Sequence, residues 1–352
     1  MPDDSNGVHS LPPGTIVNSG DPILPSQHNP MANDLSSGLS ARFSKDGRAP
    51  ATGNWNLNTF RITNLGTPTA SADAATKAYV DGLAFYTPQT LDASQQAAAR
   101  KNIGAALTTG QCRLTLSGGN LVLSRHNGIF IPIGGVAETI PSGGVSLAAT
   151  GLTPATLYYI YAYMNTGTMT LEASATAPTA DATTGIQVKT GDSTHTLVGM
   201  ARPVTGPAWV DSAKQRFVLS YYNRTKKRGE SSFTATRSTS SDSFVEINTE
   251  IRVEFLAWGD TSLWFSTGGA MATNPGSGQQ ASRLALDGTV DWFAQCSQQT
   301  ALNYIIPLSM SGTIQPTLGY HYATLLGGVT TGTGLWLATG GAACFIFASI
   351  EG

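Results

Sequence analysis

From residue 113 onward, apolar residues come in short runs that alternate with polar ones and are cut by Gly, Pro, Asn and Thr. Alternation with a period of two puts successive side chains on opposite faces of a strand. It predicts strands at 113–116, 120–123, 128–133, 157–164, 169–173, 185–188, 196–201 and 216–222. Ser-Gly-Gly (117–119), Asn-Gly (127–128) and Asn-Thr-Gly-Thr (165–168) mark turns between them. The polar stretch 223–243 reads as a linker or long loop. Beyond it, Val245, Ile247, Ile251, Val253 and Phe255 alternate with Glu246, Asn248, Glu250, Arg252 and Glu254. That predicts one strand over 244–255 with a buried and a wet face, followed by strands at 263–266, 283–286, 304–309, 320–326, 334–338 and 344–349. Short strands at such spacing predict a mainly β chain. A β-rich middle domain takes 108–230, and a C-terminal β-sandwich of jelly-roll type takes 231–352, closed by its last segment.

The earlier residues follow another pattern. Segment 1–50 has few large apolar side chains and prolines at 22, 25 and 30, so it should be extended and gain order against a partner. Met31, Leu35, Leu39 and Phe43 stand four apart, one narrow face of a short helix. Trp55, Leu57, Phe60 and Ile62 suggest a short strand or ribbon. Ala74–Val80 reads as a helix capped by Ser71 or Asp73 and stopped by Gly82; Ala93–Asn102 reads as another, with capping-box spacing from Asp92 to Gln95 and Gly104 at its end. Neither reaches the ~12–15 residues at which a helix holds marginally in water. Their apolar residues are alanines with Tyr79, Val80 and Ile103, too little bulk for one copy to bury. Segment 51–107 therefore points to a parallel homo-oligomeric stalk.

Composition narrows the function classes. Only 12% of the 352 residues are charged and the net charge is -2. Binding a polyanion needs a clear excess of Lys and Arg, so nucleic acid is excluded as a general partner. The longest apolar run, 157–164, falls short of the ~20 residues of a membrane-spanning helix. Acidic residues stand where a secretory signal has a basic region. Cys112, Cys296 and Cys344 are widely spaced, which argues for free thiols and assembly in a reducing cytoplasm rather than disulfides or a cysteine zinc site.

Signatures of catalysis are missing: there is no phosphate loop, no G-x-S-x-G elbow and no H-E-x-x-H helix. His9, His28, His126, His195 and His321 occur singly, as solvated loop residues do. Asp287 and Asp291, with Trp292 as a sugar platform, are the best carboxylate pair for glycan cleavage. Set against that, Asp287-Gly288 is a common turn dipeptide and Trp292 suits a core. Glu246, Glu250 and Glu254 read as solvated. Arg224, Lys226, Lys227 and Arg228 could meet acidic polysaccharide, but suit a solvated face or an intersubunit ion pair better. Trp258, Trp264, Trp292, Trp336, Tyr320 and Tyr322 crowd the last domain, and most suit a core or an interface. Tyr320, His321 and Tyr322, after the 316–319 turn, are with Trp292 the candidates for receptor contact, since Tyr and Trp stack on sugars.

Two motifs have a familiar form. ITNLGTPTASADAATKAYVDG (62–82) resembles a repeat of bacteriophage tail fibres, and LDASQQAAARKNIGAA (91–106) is similar to a second recurrent fibre segment. Upstream, residues 14–39 look like the start of fibre proteins. The resemblance implies an elongated homotrimeric fibre in the virion with short helical shaft segments, while the missing catalytic signatures and the spread cysteines argue for no enzymatic activity, cofactor or metal and for assembly in the host cytoplasm. Residues 1–50 would dock to tail, baseplate or portal/collar proteins through Ile16, Val17, Ile23, Leu24, Met31, Leu35, Leu39 and Phe43. Ile62, Leu65, Ala75, Tyr79, Val80 and Ile103 would form the trimer shaft. The C-terminal β domain would bind a bacterial surface glycan or protein. Two alternatives remain open: a head or collar fibre without a receptor role, and a polysaccharide-degrading tailspike. The shaft motif occurs once, so the fibre would be short.

Overall fold

The computed structural model describes residues 61–81, 109–274, 278–288, 291–298, 305–338 and 343–352, with isolated residues between 20 and 59 and between 91 and 99. Residues 1–89 and 90–352 form two compact units. In the first, the described part of the shaft motif holds one short helix, α1 (Lys77–Asp81). Its N-cap is Thr76, whose Oγ1 accepts the Tyr79 amide at 3.1 Å, rather than Ser71 or Asp73. Asp73 instead closes the preceding turn, accepting the amides of Thr69 and Ala70 at 2.7 and 2.9 Å. The helix starts three residues later than expected because its cap is Thr76. Residues 61–69 contain no strand, and Trp55, Leu57 and Phe60 of the predicted ribbon, with Gly82, Ile103 and Gly104, lie outside the described residues. Ala32, Asn33, Leu35 and Ser36 are helical as predicted, and so are Gln95, Ala98 and Ala99. Pro25 and Asn29 are also helical, which corrects the extended reading there: proline's fixed φ suits a first helical turn.

The second unit is strand after strand. Its first lobe holds β1 (Cys112–Ser117), β2 (Asn120–Arg125), β3 (Phe130–Ile133), β4 (Val136–Thr139), β5 (Val145–Leu147), β6 (Tyr158–Asn165), β7 (Thr168–Ser174), β8 (Pro178–Ala180), β9 (Gln187–Lys189) and β10 (Asp192–Ala201). A crossing region carries β11 (Gln215–Arg216), β12 (Val218–Ser220) and β13 (Lys226–Ser232). The second lobe continues with β14 (Arg237–Thr239), β15 (Val245–Glu246), β16 (Val253–Ala257), β17 (Leu263–Thr273), β18 (Gln280–Leu286), β19 (Asp291–Gln298), β20 (Ile306–Ile314), β21 (Gly319–Val329), β22 (Gly334–Trp336) and β23 (Phe345–Glu351).

In the first lobe, a six-stranded sheet (β7-β6-β10-β9-β8, with β12 on β10) faces the β1-β2-β5 sheet and the β3-β4 hairpin. Leu114, Leu121, Leu123, Ile131, Ile160 and Val198 fill the space between them. The tight hairpins fall where glycine pairs sit: Gly118 and Gly119 both have positive φ between β1 and β2, the requirement of a type I′ turn.

The second lobe is a sandwich of two six-stranded sheets, β11-β16-β21-β18-β19 with β15 on β21, and β13-β23-β17-β22-β14 with β20 on β17. Phe255, Phe265, Leu325, Trp336 and Ile346 lie between them, fully buried. The indole of Trp336 lies so close to Gly327 that a Cβ there would stand 2.1 Å from its Cζ2. Its Nε1 donates to Ser282 Oγ at 2.7 Å.

Three expectations need correction. The segment read as a linker supplies β13, all 7 residues of which pair with the closing strand β23. Its polarity marks a strand whose alternate side chains face solvent. The single strand expected over 244–255 is two strands on the same edge of β21, separated by a 3-10 turn at Thr249–Ile251. Asn248 caps that turn through the Glu250 amide at 2.9 Å. The predicted strand at 216–222 also splits, at the buried Phe217: β11 joins the second lobe and β12 the first.

Replacing Gly327 by alanine forces Trp336 out of its slot. We expect Gly327→Ala to cost about 1–3 kcal/mol, the range of overpacked cores, read as a lower urea midpoint at unchanged m-value. Ser282→Ala, which leaves the buried indole N–H without an acceptor, should cost about 1–3 kcal/mol.

Candidate functional site on the outer face of the second lobe

Along β16, residues alternate between the sandwich core and the outer face. Val253, Phe255 and Ala257 point inward, and Leu256 packs outward against the first lobe. There Leu197, Met200, Leu219 and Tyr161 close over it, all at 0–1% exposure. Trp258 Nε1 donates to the Ser220 carbonyl at 3.1 Å, and its ring meets Tyr221 edge-on at 5.3 Å. Each fully buried aliphatic side chain contributes about 1.5–3 kcal/mol, against about 0–1 for an exposed ion pair. Apolar burial therefore sets how the two lobes meet.

The candidate receptor residues begin at this junction. Tyr320 lies under the Arg202 guanidinium, 4.0 Å from its centroid, and its hydroxyl donates to Glu254. Burial raises the Tyr320 pKa first, and the Glu254 carboxylate adds to it. His321 is 7% exposed, with Nδ1 at 2.7 Å from Asp287 and Nε2 at 2.9 Å from the Thr317 carbonyl. Tyr322 is half-exposed beneath Arg252, whose guanidinium stands 3.8 Å from its centroid. The structure thus brings Tyr320 and Tyr322 onto one face, 6.4 Å apart, and sends His321 to the other. The side chains of Asp291 and Trp292 lie outside the described residues. Asp287, exposed at the turn expected of Asp-Gly, bonds His321 and the Tyr322 amide, the latter at 3.0 Å. Of the expected shaft and docking residues, Leu65 is half-buried and Ala75 exposed. Ile16, Val17, Ile23, Met31, Leu39 and Phe43 lie outside the described residues.

Most of the other singled-out charges have a partner within the chain. Glu246 binds Arg252 through both oxygens at 2.7 and 2.6 Å and also accepts from Thr324. Glu250 pairs with Arg237, and Glu254 accepts from Gln215 at 2.7 Å. In the basic run, Arg224 grips Asp260 and Glu351, Lys226 lies 3.8 Å from Glu351, Lys227 meets Asp211 at 2.6 Å and Arg228 meets Glu230 at 2.8 Å. Arg224 and Lys227 are part-buried in these pairs, whereas Lys226 and Arg228 stay exposed, as expected of a solvated face. Burial pushes the Cys112 thiol up to about 12 and the Cys344 thiol up to about 11, so both stay protonated and unreactive.

Sequence reading missed a row of arginines over aromatic rings: Arg202 on Tyr320, Arg252 on Tyr322, and Arg283 on Phe244 at 3.8 Å. It also missed a cluster on the first lobe, where Asp192 and Glu172 flank the His195 ring and Tyr163 stacks on it at 4.4 Å. Both assemble from strands distant in the chain, so no local motif announces them. Among the described residues, no group of three His, Cys, Asp or Glu is placed to hold a metal ion.

No protein-family model and no curated protein matches the chain. Among solved structures, it is similar to the infectious bursal disease virus Gx strain structure at 12% identity, covering 70% of this chain and 69% of that one, with a TM-score of 0.26. A Bacillus thuringiensis Cry1Da tryptic core variant gives 8% identity, coverage of 72% and 54%, and a TM-score of 0.18. The infectious bursal disease virus VP2 subviral particle gives 13%, coverage of 57% and 63%, and 0.16. Likeness at these scores carries no argument, and the mainly β fold stands on its own strand pairing.

The ion pairs make the fold acid-sensitive. Hydrogen bonds from Arg224 lower the Asp260 pKa, and those from Arg237 lower that of Glu250; for Glu246, burial works upward but Arg252 and Thr324 outweigh it. A depressed folded-state pKa adds stability that is fully present above the unfolded value and lost as pH falls through the folded one. The ordinary values are 4.5 for the glutamates and 3.8 for Asp260. Urea midpoints should hold from neutral pH down to about pH 5 and then fall. Glu246→Gln should lower the neutral plateau and flatten the acid limb.

Proposed function

We propose that this protein is a non-enzymatic virion fibre: residues 1–50 dock to the particle, the shaft segment trimerises, and the β lobes meet the host cell surface. The observation that carries this reading lies in the shaft motif itself. Within its unit, Ile62 is 55% exposed, Val80 50% and Tyr79 38%. The only helix in residues 61–81 has 5 residues, too few to hold alone in water. Leu24 and Leu35, among the expected docking residues, are likewise 52% and 56% exposed. Apolar side chains on so short a scaffold gain burial by packing against identical copies.

A trimer also supplies the affinity that a low-charge head needs. Three weak sites on one fibre, and several fibres on one particle, bind by effective concentration without any tight single contact. The two motifs that resemble fibre segments stand in tandem between residues 62 and 106, immediately ahead of the β lobes.

Light scattering of the intact protein tests the reading. We expect a solution mass of about three times 36.7 kDa; a monodisperse monomer would refute it. The full chain is the proper sample, because a fragment beginning at 231 loses most of β13 and with it the partner of β23.

A further inference from the structure

At the end of β21 away from the lobe junction, the outer face of the sheet dips into an open groove of about 200 Å³. From Tyr320 to Val329 the strand spans on the order of 30 Å, at about 3.3 Å per residue. Register explains the dip. Gly328, Ala281 and Ser297 stand side by side on β21, β18 and β19, so three small residues in a row form the floor. Segment 241–244 is drawn close over one side: the Val329 amide donates to the Ser241 carbonyl at 2.8 Å, and a Cβ on Gly328 would stand 3.3 Å from the Ser243 oxygen. That places Phe244 and Asp242 as one wall. Gln295 forms the opposite wall, with its Oε1 accepting from Arg283 at 2.7 Å while the same guanidinium lies over Phe244. Gln279 and Thr330 close the end, tied by the Gln279 amide on Thr330 Oγ1 at 2.9 Å.

We infer that this groove binds a single neutral sugar ring of a larger glycan, an assignment that rests on the host-contact reading above and gives it a location. The volume is below the ~300 Å³ at which drug-sized sites begin; it has room for one pyranose and none for a nucleotide cofactor. The polar groups are those that read hydroxyls. A carboxylate (Asp242) accepts from neighbouring hydroxyls in pairs, planar carboxamides (Gln279, Gln295) both donate and accept, and Ser297 does either. The Gln279 carboxamide and the Ser297 hydroxyl make no hydrogen bond to another described residue, and both residues are exposed. Phe244, half-buried, offers an aromatic surface for the C–H side of a ring. One carboxylate beside one guanidinium gives no charge excess with which to select phosphate.

The test is saturation-transfer NMR of the full-length protein with a panel of free hexoses, deoxyhexoses and N-acetylhexosamines. At least one should receive transfer at millimolar concentration, the range of single-site sugar contacts (about −4 kcal/mol at 1 mM). Ala281→Gln fills the floor and Ser297→Gln narrows its exposed edge. Both should cut transfer about tenfold or more, while Ser309→Gln, exposed on the outer face of the opposite sheet, should leave it unchanged. Using two variants guards against one misfolding. No transfer to any sugar, or transfer that survives in both groove variants, overturns the assignment. That outcome leaves the fibre reading intact, since the fibre reading stands or falls on solution mass.

Discussion

A layer of aliphatic and aromatic side chains between the two β lobes is the constraint on which the rest of residues 90–352 depends. Leu197, Met200 and Leu219 on one side and Leu256 on the other exclude water completely, with Tyr159, Tyr161, Trp258 and Tyr320 around them. Because this contact is apolar and extensive, the chain can pass back and forth across it. The two residues of β11 pair with β16 of the second lobe, and β12, two residues later, returns to the first. The two lobes are interlocked rather than strung on a linker. The layer also covers one end of the β21 face and leaves the other open, and the groove over Gly328 is at the open end.

Scarcity of charge gives each ion pair a definite place. With 22 acidic and 20 basic residues in the chain, charges are sparse, and several on the second lobe meet across strand boundaries. Arg224 joins the loop residue Asp260 to Glu351 of the closing strand; Arg252 folds back on Glu246 across the 3-10 turn. These contacts add modestly to stability at the surface, but they fix geometry, because a bidentate guanidinium tolerates few orientations. The same stiffness holds Arg252 over Tyr322, while Arg202 and Arg283, each tied through Nε to the Ala155 carbonyl and to Gln295, cover Tyr320 and Phe244.

The two units solve the burial problem differently. Residues 90–352 bury large apolar side chains within one chain, down to a Trp336 that fits only against a glycine. The described shaft residues offer alanine, threonine and a few exposed larger groups on five residues of helix. Self-association is the physical remedy for such a segment; that deficit argues for an oligomer, while three as the number of copies in the proposal comes from motif resemblance alone.

Much of the strand inventory was legible along the chain, because period-two alternation and glycine-bearing turns are local: β1, β2, β6, β7, β10, β21 and β23 lie close to where alternation puts them, and Gly118-Gly119 turns as expected. Composition likewise argued against a polyanion partner. The errors share one cause, which is that a polar run looks the same whether it is a loop or a strand with one wet face. Lys226–Ser232 is a strand only because β23 lies beside it. Phe217 divides two strands only because two lobes compete for its neighbours. Tyr320 and His321 look alike in sequence as candidate receptor residues, yet pleating sends one to the lobe junction and the other toward Asp287. The groove itself needs Gly328, Ala281 and Ser297 in register, a coincidence of three strands that arises from hydrogen-bonded pairing and from no neighbouring residue in the chain.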